Sequence, residues 1–344
     1  MNDRKHDELE TPAPLPRRQL LEWAGLGGAL LGTSLFSRSV EAGPAAPPPK
    51  ASEVPDAPAV RYQSVRVHDL DLFYREAGPP NAPVLLLLHG FPSSSFMFRE
   101  LIPKLAARYR VIAPDYPGFG QSSFPPATSF RYSFESLARV LEGFTDKLGL
   151  RRYALYVQDY GAPLGFRLAL SHPDRVSALV IQNGNAYAEG LTPLWDPIRA
   201  YWQEPTAAHR EALRGFLTPE GIRGQYLLGV PKELQARFSP DGWTLDASRI
   251  GRPGNVDVQL DLFGDYQSNV ALYPRFQAFF RAQKPPTLIV WGKHDPFFSV
   301  AGARAYLRDL PDAELSLLDA GHFALETHAN EIARSIRSFL AKRL

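Results

Sequence analysis

An α/β fold is predicted: a mostly parallel central sheet flanked by helices, interrupted by a helical insert. Three features of the sequence point to it. Strand-like apolar runs alternate with amphipathic stretches from residue 61 to residue 182. The middle runs are continuously apolar, as strands buried on both faces must be. The alternation stops over 187–264 and then resumes to the C terminus; that is the pattern of one sheet carrying an insert between its two halves.

Taken in order, strands are expected at 61–67 and 70–76, then at 82–89, where Leu85-Leu86-Leu87-Leu88 leaves no polar face. A helix over 96–108, a strand at 109–114, a helix over 134–148 and a strand at 153–158 follow. Gly161 opens the next helix, running to Ser171, and a strand at 178–182 closes the first half. Seven prolines (Pro193, Pro197, Pro205, Pro219, Pro231, Pro240 and Pro253) cut the insert into short helical pieces. The second half reads as a helix over 270–282, a strand at 286–291, a helix over 302–310, a strand at 314–318 and a helix from Glu331. The core thus divides into 61–186 and 265–344, with 187–264 as a cap over the carboxyl edge of the strands, where such sheets bind ligands.

The first 60 residues read as separate from this fold. Arg17-Arg18 precede an apolar, Gly-rich stretch over 20–36, which ends near the small-residue pattern Val40-Glu41-Ala42. Residues 1–42 resemble a twin-arginine export leader, which implies a periplasmic or secreted protein with no stable membrane span after processing. The Pro- and Ala-rich stretch 43–60 holds too few large apolar groups to pack and reads as a linker.

Composition excludes several chemistries. The chain has 344 residues, 44% of them hydrophobic and 22% charged, enough for a sizeable core. Its net charge of +2, with no Lys/Arg run interleaved with aromatics, gives a nucleic-acid partner no electrostatic footing. Cysteine is absent, which rules out disulfides, thiol nucleophiles and thiolate metal sites. The eight histidines lack zinc-site spacing, and Gly118-Phe119-Gly120 lacks the third glycine of a dinucleotide loop, so neither metal nor cofactor is expected.

The chemistry centres on Val157-Gln158-Asp159-Tyr160-Gly161. Asp159 falls between a strand and a helix, the place of a nucleophile elbow, and no G-x-S-x-G occurs in the chain. A carboxylate there is suited to displacing a leaving group from saturated carbon, giving an alkyl ester of the enzyme. His322, in Asp319-Ala320-Gly321-His322-Phe323 after the last strand, is the expected base that activates water against that ester. Asp295, after the preceding strand, is its expected partner, and the rival position Asn183 cannot be charged. With the order nucleophile, acid, histidine, the chain from about Arg61 onward resembles the α/β-hydrolase fold. Its Asp nucleophile resembles those of the epoxide hydrolases and haloalkane dehalogenases.

That resemblance implies further roles. His89-Gly90-Phe91-Pro92 matches the family's oxyanion loop, with the backbone N–H groups of Phe91 and Tyr160 as the donors and His89 as a brace of the loop. An epoxide oxygen needs a proton donor, which the resemblance assigns to cap tyrosines: Tyr266 by position, with Tyr187, Tyr201 and Tyr226 as further candidates. A halide needs N–H donors, which the dehalogenases supply from a Trp after the nucleophile and a second Trp or Asn. Here position 160 is Tyr and position 91 is Phe, leaving Trp195, Trp202 or Trp243 of the cap as indole candidates. Val157-Gln158 and Ser93-Ser94-Ser95-Phe96 look more like the dehalogenases.

The expectation is therefore an epoxide hydrolase for small apolar epoxides, with a haloalkane dehalogenase as the alternative. An ester or lactone hydrolase would need Asp159 to form an anhydride, an energetically poor intermediate. A binding protein on the same fold would be expected to lack part of the triad, and all three residues are present. Oligomeric state is left open.

Overall fold

The computed structural model describes residues 58–343. The export leader expected at 1–42 and all but the last three residues of the 43–60 linker lie outside the described residues.

The sheet has eight strands: β1 (Arg61–Val67), β2 (Leu70–Ala77), β3 (Val84–Leu88), β4 (Arg110–Pro114), β5 (Tyr153–Gln158), β6 (Val176–Gln182), β7 (Thr287–Gly292) and β8 (Glu314–Leu318). Their order across the sheet is β1-β2-β4-β3-β5-β6-β7-β8. The β1–β2 hairpin and the β2–β4 pair are antiparallel, and every other pair is parallel. The fold class read from the sequence is the one the structure shows.

Strand burial explains the composition. All six residues of β5 and all six of β7 are buried, while the edge strands β1 and β8 are largely open to solvent. Alternate side chains feed the two sides of the sheet: Leu86, Leu88, Leu155 and Val157 join one apolar cluster, and Leu85, Leu87, Ala154 and Tyr156 the other.

The core helices before the cap are α1 (Ile102–Leu105), α2 (Phe134–Lys147) and α3 (Gly161–Ser171). The single helix expected over 96–108 is instead a 3₁₀ turn, Ser95–Phe98, followed by the short α1. Ser94 caps the first turn, and Pro103, which has no N–H to give the carbonyl of Arg99, stands in the first turn of α1, where a helix start suits it.

The cap carries α4 (Asp196–Gln203), α5 (Ala207–Ala212), α6 (Pro219–Leu227), α7 (Lys232–Gln235), α8 (Pro240–Ile250) and α9 (Asn255–Asp265). Proline stands in the first turn of α4, α6 and α8, where the missing N–H has no intrahelical partner to lose. The chain returns through α10 (Gln267–Gln283), then α11 (Val300–Asp309) and α12 (Leu325–Leu340). α12 begins six residues before the expected Glu331, across a non-helical His328. Among the described residues no helix is long and apolar enough to cross a membrane.

Candidate active site

Parallel strands deliver their carboxyl ends to one edge. The loops after β3, β5, β6, β7 and β8 therefore bring Phe91, Asp159, Asn183, Asp295 and His322 to that edge from five places in the sequence. β3 lies between β4 and β5, so the sheet changes its direction of winding there, and the crevice between the β3 and β5 loops receives Asp159.

Asp159 sits on a sharp turn with φ of 47°, a left-handed conformation that a non-glycine residue adopts only at a cost. The turn works because its neighbours are small. A Cβ on Gly161 would lie 2.1 Å from the carbonyl oxygen of Leu88, and one on Gly90 would lie 2.3 Å from Cβ of Asp159.

The two oxygens of Asp159 face different partners. Oδ1 accepts from the backbone N–H of Phe91 at 2.6 Å, and the N–H of Tyr160 also serves the carboxylate. Both expected oxyanion donors thus lie against the carboxyl group. Oδ2 is 3.9 Å from Nε2 of His322. Burial pushes the Asp159 carboxyl up to about 6, against the opposing pull of His322 and the two N–H groups. The group is thus ionised at neutral pH yet weakly solvated, which favours nucleophilic attack.

His322 is 2% exposed, and its Nδ1 lies 2.8 Å from Oδ2 of Asp295. Burial disfavours the imidazolium, but the charge and hydrogen bond of Asp295 and the charge of Asp159 outweigh it and raise the His322 pKa. Asp295 is itself pinned by the backbone N–H groups of Phe297 and Phe298 on Oδ1, and by Nδ2 of Asn183 at 2.8 Å on Oδ2. Asn183 also accepts from the N–H of Gly292. The residue passed over as an uncharged rival acid is therefore the brace of the acid in use.

A second residue that sequence reasoning passed over is Gln158, whose Nε2 is 3.0 Å from Nε2 of His322. His89 is fully buried, stacked on Tyr116 at 4.0 Å, and pushed down to about 4 by burial, so it braces the loop as a neutral ring.

Above these groups lies an enclosed apolar pocket of about 30 Å³, lined by Phe91, Tyr160, Leu194, Trp195, Ile198, Phe216, Phe263 and Phe297. Gln225, on α6, adds a polar group to the wall that the sequence did not single out.

The expected leaving-group residues separate clearly. The hydroxyl of Tyr187 donates to Asp309 and that of Tyr226 to Asp246, both directed away from the pocket. Tyr201 accepts from Arg210 on the cap. These three are corrected: none lines the pocket over Asp159, and the hydroxyls of Tyr187 and Tyr226 are donated elsewhere. The indole N–H of Trp195 donates to the carbonyl of Phe297 at 3.0 Å, and that of Trp202 to the carbonyl of Phe263 at 2.7 Å. Trp195 still walls the pocket, but neither indole is free to hold an anion, which corrects both as halide donors. Trp243 packs against Tyr226 instead.

Two phenols remain. Tyr160 and Tyr266 are buried, their rings 5.8 Å apart; the Tyr160 hydroxyl, at the pocket wall, has no hydrogen-bond partner, and that of Tyr266, behind the wall, has only the Tyr273 hydroxyl beside it. Both phenols are pushed well up by burial first, with the charge of Asp159 adding to it. Among the described residues no cluster of His, Cys, Asp and Glu could hold a metal ion.

Comparison with known proteins agrees with this geometry. The family model of the alpha/beta hydrolase fold matches residues 83–329. An uncharacterised hydrolase of Saccharomyces cerevisiae is 45% identical over 82% of this chain and 98% of its own length. Haloalkane dehalogenase 2 of Mycobacterium tuberculosis is 42% identical over 79% of this chain and 90% of its own. Among solved structures, a haloalkane dehalogenase from Bradyrhizobium elkani superposes with a TM-score of 0.64 at 25% identity, covering 83% of this chain and 98% of that one. The names of these relatives side with the halide alternative rather than with the epoxide. Sequence match and site geometry together place the chain: it belongs to the α/β-hydrolase fold family, as a hydrolase of its haloalkane dehalogenase-like branch.

Proposed function

We propose that this hydrolase opens small apolar epoxides in two steps. Oδ2 of Asp159 attacks a ring carbon, the C–O bond breaks, and the departing oxygen takes a proton from a buried phenol, with Tyr266 the first candidate and Tyr160 the second. Water activated by His322 then attacks Cγ of the ester, the N–H groups of Phe91 and Tyr160 hold the oxyanion on Oδ1, and the diol leaves.

The observation that carries the choice is the state of the cap donors. The hydroxyl of Tyr160 is buried without a partner and that of Tyr266 has only the Tyr273 hydroxyl beside it, whereas the indoles of Trp195 and Trp202 are spent on backbone carbonyls. A phenol can protonate an alkoxide, while a halide needs several donors free at once.

The second reading, an alkyl halide as substrate, is supported by the names of the relatives. On that reading the charge leaving the carbon would fall to the Tyr160 hydroxyl and the Gln225 amide at the pocket wall. The two readings separate in a parallel assay of terminal epoxides and bromoalkanes, scored for diol and for free bromide. Diol formation exceeding bromide release by about tenfold or more in kcat/KM is expected. Bromide release with no diol would overturn the epoxide reading and leave the Asp159 mechanism in place.

A further inference from the structure

Gln158 is the last residue of β5, fully buried, and points its amide at the reacting groups. Its Nε2 lies 3.0 Å from Nε2 of His322. Its Oε1 has no hydrogen-bond partner. Oε1 lies beside the nucleophile: a Cβ on Gly90 would be 2.4 Å from it and 2.6 Å from Oδ1 of Asp159.

Donor logic fixes what the first contact means. Nδ1 of His322 faces the carboxylate of Asp295, which only accepts, so Nδ1 carries a proton. A primary amide nitrogen only donates, so the contact at Nε2 is an N–H of Gln158 given to the ring's lone pair. That hydrogen bond exists only while His322 is neutral.

The other neighbours of the ring push the opposite way. The charged groups that face it are Asp295, from the loop after β7, and Asp159, from the elbow after β5. The rest of its surroundings are the rings of Phe297, Phe298 and Phe323. Both carboxylates favour the imidazolium, which cannot accept a proton from water. Gln158 is the polar neighbour that opposes them.

We propose that Gln158 is a positioning residue for hydrolysis of the ester: its N–H holds His322 as the neutral Nδ1–H tautomer until water takes that place, and its Oε1 receives the water's second O–H. This rests on the roles given above to Asp159 and His322. In the step itself the water oxygen bonds to Cγ of Asp159 and one of its protons passes to Nε2 of His322. The other proton stays on that oxygen, turned toward Oε1 of Gln158. Collapse breaks the bond from Cγ to the alkyl oxygen, which takes the proton back from His322 and leaves as the alcohol. The carboxyl group that remains then ionises.

The test follows the ester by intact-protein mass through a single turnover between pH 5 and pH 9. Styrene oxide or bromohexane is the probe, whichever the parallel assay finds turned over. Gln158→Met keeps the length of the side chain and removes both polar atoms. Its ester decay is expected to slow about tenfold more than ester formation. The pH at which decay reaches half its maximum should rise by about half to one unit, because the donor that favoured neutral His322 is gone.

Gln158→Glu, nearly isosteric, guards against misfolding of the first variant and should raise that pH further, since an anion at this place favours the imidazolium. A decay limb that stays put in both variants, or moves down, overturns the proposal. His322→Gln serves as the control for the underlying mechanism. If it accumulates no ester, the roles of Asp159 and His322 fail; if it accumulates ester while the Gln158 variants match the parent chain, only the role of Gln158 fails.

Discussion

At the scale of single residues, the site divides its labour by what each side chain can still donate or accept. Oδ1 of Asp159 accepts from the backbone N–H of Phe91, the N–H of Tyr160 also serves the carboxylate, and Oδ2 is the oxygen the proposed mechanism uses for attack. With its pKa pushed up to about 6, ester formation is expected to need the ionised form and so to rise with pH through about 6. Tyr266 lies behind the pocket wall: it is buried and packed at 4.5 Å on Trp195, which lines the pocket beside Tyr160. Tyr266→Phe should slow ester formation from an epoxide about 10²-fold and leave ester hydrolysis within about twofold, read by single-turnover kinetics. Equal loss in both steps would point to damaged packing rather than a lost proton. The triad residues were legible because each has a characteristic neighbour in sequence, a strand before it and a turn after it. Gln158 and Asn183 were not, because each acts on a residue more than a hundred positions away.

At the scale of elements, the elbow joining β5 to α3 depends on how closely backbone can approach backbone. Gly161 lies where a Cβ would meet the carbonyl of Leu88, a backbone atom that cannot swing aside. Gly161→Ala should therefore destabilise the fold by about 2–3 kcal/mol in urea titration, as overpacking of a tight core does, and should shift Asp159 against the β3 loop. A stable and fully active variant would show that the elbow has slack. Strand placement was legible from apolar runs because burial on both faces leaves no alternative side-chain pattern. Helix 96–108 was misjudged because its apolar spacing is helical while Pro103 and the Ser94 cap divide it, and local backbone chemistry overrides periodicity there.

At the scale of the molecule, the cap covers the site: Leu194, Trp195, Ile198, Phe216, Gln225 and Phe263 wall the pocket over Asp159 and His322. One buried pair within the cap is titratable and packs on the core. Asp246 of α8 accepts from the hydroxyl of Tyr226 of α6 at 2.5 Å, and the ring of Tyr226 stacks at 4.0 Å on Phe323, the residue after His322. Burial pushes Asp246 up to about 8, against the hydrogen bond from Tyr226. The unfolded chain releases that proton near pH 4, so between about pH 4 and pH 8 the folded state holds one proton more. Stability from this group is full below about pH 4 and is lost as pH rises through about 8, with a slope of up to about 1.4 kcal/mol per pH unit. Asp246→Asn should flatten the fall of Tm between pH 5 and pH 9, and an unchanged profile would show that the carboxyl is not held neutral in the fold.

The sequence by itself determined the α/β architecture and singled out Asp159, Asp295 and His322, which the fold brings together, because these follow from periodicity and from motifs local to the chain. Only the tertiary structure decided which aromatic donors remain available. Tyr187, Tyr201 and Tyr226 carry the same phenol as Tyr160 and Tyr266, and Trp195 and Trp202 carry an equally competent N–H donor. Whether a hydroxyl or indole N–H is free depends on the acceptors that folding brings within reach, and those acceptors lie on other elements.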